Sequence, residues 1–121
     1  MKAVIALFAS LLFGVAGFSQ TLENPGTPEE RAAKITLEMQ EHMQLDSVQL
    51  LQVEALNLKY AKIAQKEIID PDLSKWSMYR QGYKLSYEKE QELKPLLSTK
   101  QWEAYEKLKK LKMAKLLGSL F

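Results

Sequence analysis

Apolar residues recur at intervals of three and four along most of this chain, which is the spacing of one helix face. No segment alternates apolar and polar residues for long enough to predict a strand, and no Asn-Gly or Asp-Gly hairpin signal occurs. We therefore predict an all-α protein of four helices, arranged as a bent, elongated helical hairpin. The predicted helices run from Pro28 to about Met43, from Ser47 to about Ile68, from Asp70 or Asp72 as N-cap to before Pro95, and from Ser98 as N-cap to about Leu117.

The first helix has a well-marked start. Thr27 suits the N-cap, Pro28 suits the first helical position, and Glu30 occupies the place of a capping-box partner. Its expected apolar stripe consists of Ala32, Ile35, Met39 and Met43.

Two later helix starts share one form, which is Leu, a small polar residue, two variable residues and Gln. They lie 52 residues apart. In each, the small polar residue can cap the helix and the glutamine can return a hydrogen bond to the cap. Each leucine also forms a hydrophobic staple, with Leu50 in one case and Trp102 in the other. The motif residues are Leu45, Asp46 and Gln49 in the first start, and Leu97, Ser98 and Gln101 in the second.

Aromatic residues follow one another along the third helix at spacings of three, four and four. This stripe has two interpretations: it is the core face of the helix, or it lines a surface that a partner covers. The residues are Trp76, Tyr79, Tyr83 and Tyr87.

The fourth helix is apolar on two sides and basic between them. Trp102 and Tyr105 belong to one stripe, whereas Leu108 and Leu111 fall on roughly the opposite side. Residues 94–121 contain seven lysines against two glutamates. The lysines form either a solvated face or a patch that attracts acidic or unfolded partners. The candidate partner surface on this helix comprises Trp102, Tyr105, Leu108, Lys109, Lys110 and Lys112.

Composition argues against catalysis. The chain of 121 residues has no cysteine and one histidine, so thiol nucleophiles, disulfides and most metal or catalytic constellations are excluded. We expect neither an enzyme nor a cofactor. His42, Met39 and Met43 form a weak candidate copper site. The alternative interpretation of the same residues is two core methionines beside an exposed histidine. The nearly balanced total charge argues against nucleic-acid binding.

The N-terminus is typical of a secretory signal. Lys2 precedes an apolar run of sixteen residues, and small residues stand before a cleavage position between Ser19 and Gln20. An uncleaved anchor is the alternative, although the run is shorter than the roughly 20 residues that span a bilayer. We predict a signal peptide at 1–19, a flexible lead-in at 20–26, a single helical domain at 27–121, and a periplasmic location.

The paired starts and the helical pattern resemble the Spy/CpxP family of periplasmic stress proteins, which carries two Leu-Thr-x-x-Gln motifs. Here Asp46 and Ser98 replace the two threonines, while Leu and Gln stay in place. The resemblance extends over residues 27–117 and includes the Thr-Pro-Glu-Glu-Arg segment from Thr27.

This resemblance implies a helical hairpin that pairs into a crescent-shaped homodimer. It also implies an ATP-independent chaperone that holds unfolded or partly folded envelope proteins on apolar and basic faces. The alternative is a stress-signalling or metal-responsive protein that docks on a membrane sensor and binds no general clients. A third hypothesis, drawn from the charge pattern, is contact of the basic C-terminal helix with a membrane surface.

Overall fold

A computed structural model describes residues 26–119, with side chains described as far as Lys115. It contains four α-helices, α1 (Pro28–Met43), α2 (Ser47–Ala64), α3 (Lys75–Leu93) and α4 (Thr99–Ser119), and these residues form no strand. The all-α prediction is confirmed. Within the described part, no helix is long and apolar enough to cross a membrane. The predicted signal peptide, its cleavage position and residues 20–25 of the lead-in lie outside the described residues.

Helix α1 begins and packs as its sequence predicts. The Thr27 hydroxyl accepts a hydrogen bond from the Glu30 N–H at 3.1 Å. The expected capping box is incomplete. The Glu30 carboxylate accepts a hydrogen bond from the Thr27 hydroxyl, whereas a capping box requires one from the Thr27 backbone N–H. The predicted stripe is buried throughout: Ala32, Ile35, Met39 and Met43.

Helix α2 ends at Ala64, earlier than predicted, and the chain then forms a π-helical turn over Gln65–Ile69. Arg31 of α1, almost fully buried, donates hydrogen bonds to the Ala61 carbonyl and to the Gln65 side chain at 3.4 and 2.9 Å. A wider turn of this kind changes which side chains face inward. Ile68 consequently packs into the core.

The predicted caps of α3, Asp70 or Asp72, are wrong. Ser74 is the N-cap, and its hydroxyl accepts from the Ser77 N–H at 3.2 Å. Asp70 is used earlier, because its N–H closes the π-helical turn on the Gln65 carbonyl and its carboxylate accepts from the Gln65 side chain. The segment 71–73 then turns the chain before α3 begins.

The four helices close around one thin core. Helix α1 packs along α2, α3 packs on the other part of α2, and α4 returns to α1. Val53, Ala64 and Leu93 have no exposed surface. This hairpin arrangement brings the start of α2 close to the start of α4.

Candidate functional site

The two Leu-x-x-x-Gln starts meet in space. The Gln49 side-chain amide donates to Gln101 Oε1 at 2.7 Å, and the Gln101 amide donates to Gln49 Oε1 at 2.9 Å. Each Nε2 also has a second acceptor, the Leu96 carbonyl at 3.1 Å for Gln49 and the Met43 carbonyl at 3.5 Å for Gln101. We call Gln49 and Gln101 the amide pair.

Both members of the amide pair also complete the capping box of their own helix. Gln49 Oε1 accepts from the Asp46 N–H at 3.1 Å, and Gln101 Oε1 accepts from the Ser98 N–H at 2.9 Å. The caps return these bonds, at 2.8 and 3.1 Å. The amide pair therefore links the starts of α2 and α4, because each glutamine serves its own cap and the opposite loop. Sequence reasoning predicted the two capping boxes and missed their pairing.

The aromatic stripe of α3 lies on the outside of the protein. Trp76, Tyr83 and Tyr87 are each more than three-fifths exposed, and Tyr79 is slightly more than one-third exposed. The Trp76 and Tyr79 rings stack with centroids 5.6 Å apart, and the Tyr79 and Tyr83 rings with centroids 6.5 Å apart. We call these four residues the aromatic ladder.

The core-face interpretation of the aromatic ladder is wrong. The buried face of α3 consists of Gly82, Leu85, Lys89 and Leu93. These residues repeat at spacings of three and four on another side of the helix, so α3 has two candidate stripes. The stripe that contains Leu85 and Leu93 packs into the core, and the aromatic one is left exposed.

Exposed basic residues accompany the aromatic ladder on α3. Arg80 and Lys84 follow its rings along the helix, and Lys75 stands at its first turn. Lys84 makes a long ion pair with Glu88, at 4.0 Å, with both side chains about half exposed or more. The outer side of α3 thus combines large aromatic surface with positive charge.

The candidate surface of α4 is partly wrong, because Tyr105 and Leu108 are core residues. They are 9% and 6% exposed. The buried side of α4 lies between the two apolar stripes seen in the sequence, so it takes one residue from each. Trp102 is half-buried and stacks on Tyr105, with ring centroids 5.1 Å apart. The Tyr105 hydroxyl donates to Glu90 at 3.1 Å, and burial raises the pKa of this phenol.

The three candidate lysines of α4 have different environments. Lys109 pairs with Glu90 at 2.7 Å, and Lys112 pairs with Glu38 at 3.1 Å with little of its side chain exposed. Lys110 is exposed and makes no ion pair within the described part of the chain. Lys109 and Lys112 hold helices together, so Lys110 is the one of the three that remains accessible to a partner.

The candidate metal residues do not form a site. Met39 and Met43 are buried in the core, whereas His42 is exposed and its Nδ1 lies 2.9 Å from the Glu38 carbonyl. The two methionine side chains face the core and the imidazole of His42 faces solvent, so the three do not form one ligand set. No group of three or more His, Cys, Asp or Glu residues that could hold a metal occurs between residues 26 and 119.

Together these features define a small all-α protein with two hydrogen-bonded capping boxes and an exposed aromatic ladder. No protein-family model matches the chain, and no curated protein or solved structure is significantly similar to it. The resemblance to the Spy/CpxP family stays a prediction that rests on the motif residues.

Proposed function

We propose that the protein is an exported, ATP-independent holding chaperone that binds unfolded polypeptides through the outer face of α3. The observation that carries this proposal is the aromatic ladder, four large rings left exposed on a helix that has an aliphatic stripe available for its core. Export, which the N-terminal pattern predicts, and dimer formation, which the resemblance to the Spy/CpxP family implies, belong to the same proposal.

An unfolded client presents apolar side chains in no fixed arrangement. Aromatic rings suit such a client, because each supplies a large contact area and loses little rotamer freedom on binding. A contiguous exposed apolar patch on a folded protein also marks an interaction surface. The basic residues beside the ladder attract the acidic segments of a client and increase the rate of encounter.

The first test is light scattering of a chemically denatured client diluted into buffer that contains the purified protein and no ATP. We expect suppression of aggregation near an equimolar ratio. The double variant Trp76→Ser/Tyr83→Ser removes two ladder rings that are 66% and 64% exposed, and it should lose most of this suppression.

Val48→Ser/Leu51→Ser is the matched control, since these side chains are 64% and 68% exposed and lie on α2. We expect it to suppress aggregation like the wild type. Circular dichroism of all variants checks that they remain folded. If several unrelated clients aggregate equally with and without the wild type, the holding-chaperone proposal is refuted. A single tight partner would then indicate docking on a sensor.

A further inference from the structure

A small cavity lies where α1, α3 and α4 meet. Its volume is about 20 Å³, room for about one water-sized particle. Three of its seven lining side chains are lysines, and the others are a tyrosine and three aliphatic residues. The lining consists of Lys89, Lys109, Lys112, Tyr105, Ile35, Met39 and Leu108.

Two of the three lysines at this cavity are paired with a carboxylate, and the third is not. Lys109 is neutralised by Glu90 and Lys112 by Glu38. Lys89 is only 3% exposed and makes no ion pair within the described residues, although the charge of Glu90 favours its protonated form. A buried ammonium group normally has an ion partner or several acceptors, because leaving water without them is costly.

We propose that this cavity is a binding site for one small monovalent anion of halide size, held by Lys89. The three lysines supply donors and an excess of one positive charge over the two carboxylates. The volume of the cavity matches one ion about as large as a water molecule better than a tetrahedral anion such as phosphate. Lys109, which is about one-third exposed, provides contact with solvent at the edge of the site.

The groups that face Lys89 determine when the anion binds. On α4 they are Lys109, Lys112 and the Tyr105 hydroxyl, on its own helix Glu90, and α1 contributes Glu38 through Lys112. Burial, and next the repulsion of Lys112, lower the pKa of Lys89 to about 7. Because an anion favours the protonated amine, binding takes up a proton and weakens as the pH rises above 7.

The test is thermal unfolding of the purified protein at pH 6.5 in sodium chloride, sodium bromide or sodium gluconate at equal ionic strength. Gluconate carries the same charge and is much larger than a halide. When halide is present at several times its Kd, we expect Tm to exceed the gluconate value by about 3 °C. At pH 9 this difference should be lost.

Lys89→Met should abolish the difference between halide and gluconate, and it should fold because methionine resembles the lysine stem in size. Lys110→Met, which removes an exposed lysine of the same region, should keep the difference. In crystals soaked in bromide, we expect an anomalous peak beside Lys89 Nζ. A halide effect that persists in Lys89→Met, or a wild type that unfolds alike in halide and gluconate, would overturn the proposal. So would a water in place of bromide.

Discussion

Replacing Lys89 with methionine should stabilise the protein and remove a large part of its pH dependence. Lys89 is a buried base on the core face of α3, among Leu85, Leu93 and the residues of α4. Burial is the first cause of its lowered pKa, repulsion from Lys112 is the second, and Glu90 acts in the opposite direction. Methionine keeps most of the apolar stem and removes the charge.

The magnitude follows from the two protonation equilibria. The pKa is about 7 in the folded protein against an ordinary 10.5, and this difference corresponds to roughly 5 kcal/mol at 1.36 kcal/mol per pH unit. Below pH 7 the Lys89 amine is protonated in both the folded and the unfolded protein, so the full destabilisation by the buried charge is present. Between about pH 7.5 and 9.5 only the unfolded state holds the proton, so the free energy of unfolding rises by about 1.4 kcal/mol per pH unit.

Urea denaturation in gluconate buffer at pH 7, 8 and 9 measures this dependence without a halide. We expect Lys89→Met to be more stable than the wild type by about 2–4 kcal/mol at pH 7, with the gap closing as the pH rises. Lys112, whose pKa burial also lowers, is present in both proteins, so the two differ by the titration of Lys89 and by the repulsion between Lys89 and Lys112. Parallel pH profiles for wild type and variant would refute the reasoning.

Three further predictions concern the fold. Gln49→Ala and Gln101→Ala should each lower the free energy of unfolding by about 1–2 kcal/mol, measured by urea denaturation. The double variant should lose about 1 kcal/mol less than the sum of the two single losses. Strict additivity would mean that the hydrogen bonds between the two glutamines contribute nothing. Gln44→Gly should stabilise by about 0.5–1 kcal/mol, because Gln44 ends α1 at a φ of 52°, and an unchanged or lower Tm would contradict this. Leu93→Ala should cost about 3 kcal/mol at a fully buried position, and a loss below 1 kcal/mol would show that the α3 core is loosely packed.

Local sequence signals were sufficient for most helix boundaries. The starts of α1, α2 and α4 were predicted from Thr27, Asp46 and Ser98, because a capping bond joins residues three apart and needs no tertiary partner. The start of α3 was missed at Ser74. The Ser74 cap bonds the Ser77 N–H and is equally local, but Asp70 closes the preceding π-helical turn on the Gln65 carbonyl, and that turn moves the helix start beyond the aspartates.

The sequence by itself determined that the chain is helical, where most helices begin and which residues share a face. It did not determine which face of α3 is buried, because the helix carries one aromatic and one aliphatic stripe and both have helical spacing. Only packing against the other helices decided that Leu85 and Leu93 face inward and that the aromatic ladder stays exposed. The meeting of Gln49 with Gln101 and the burial of Lys89 were decided in the same way, since both arise from contacts between helices far apart in the chain.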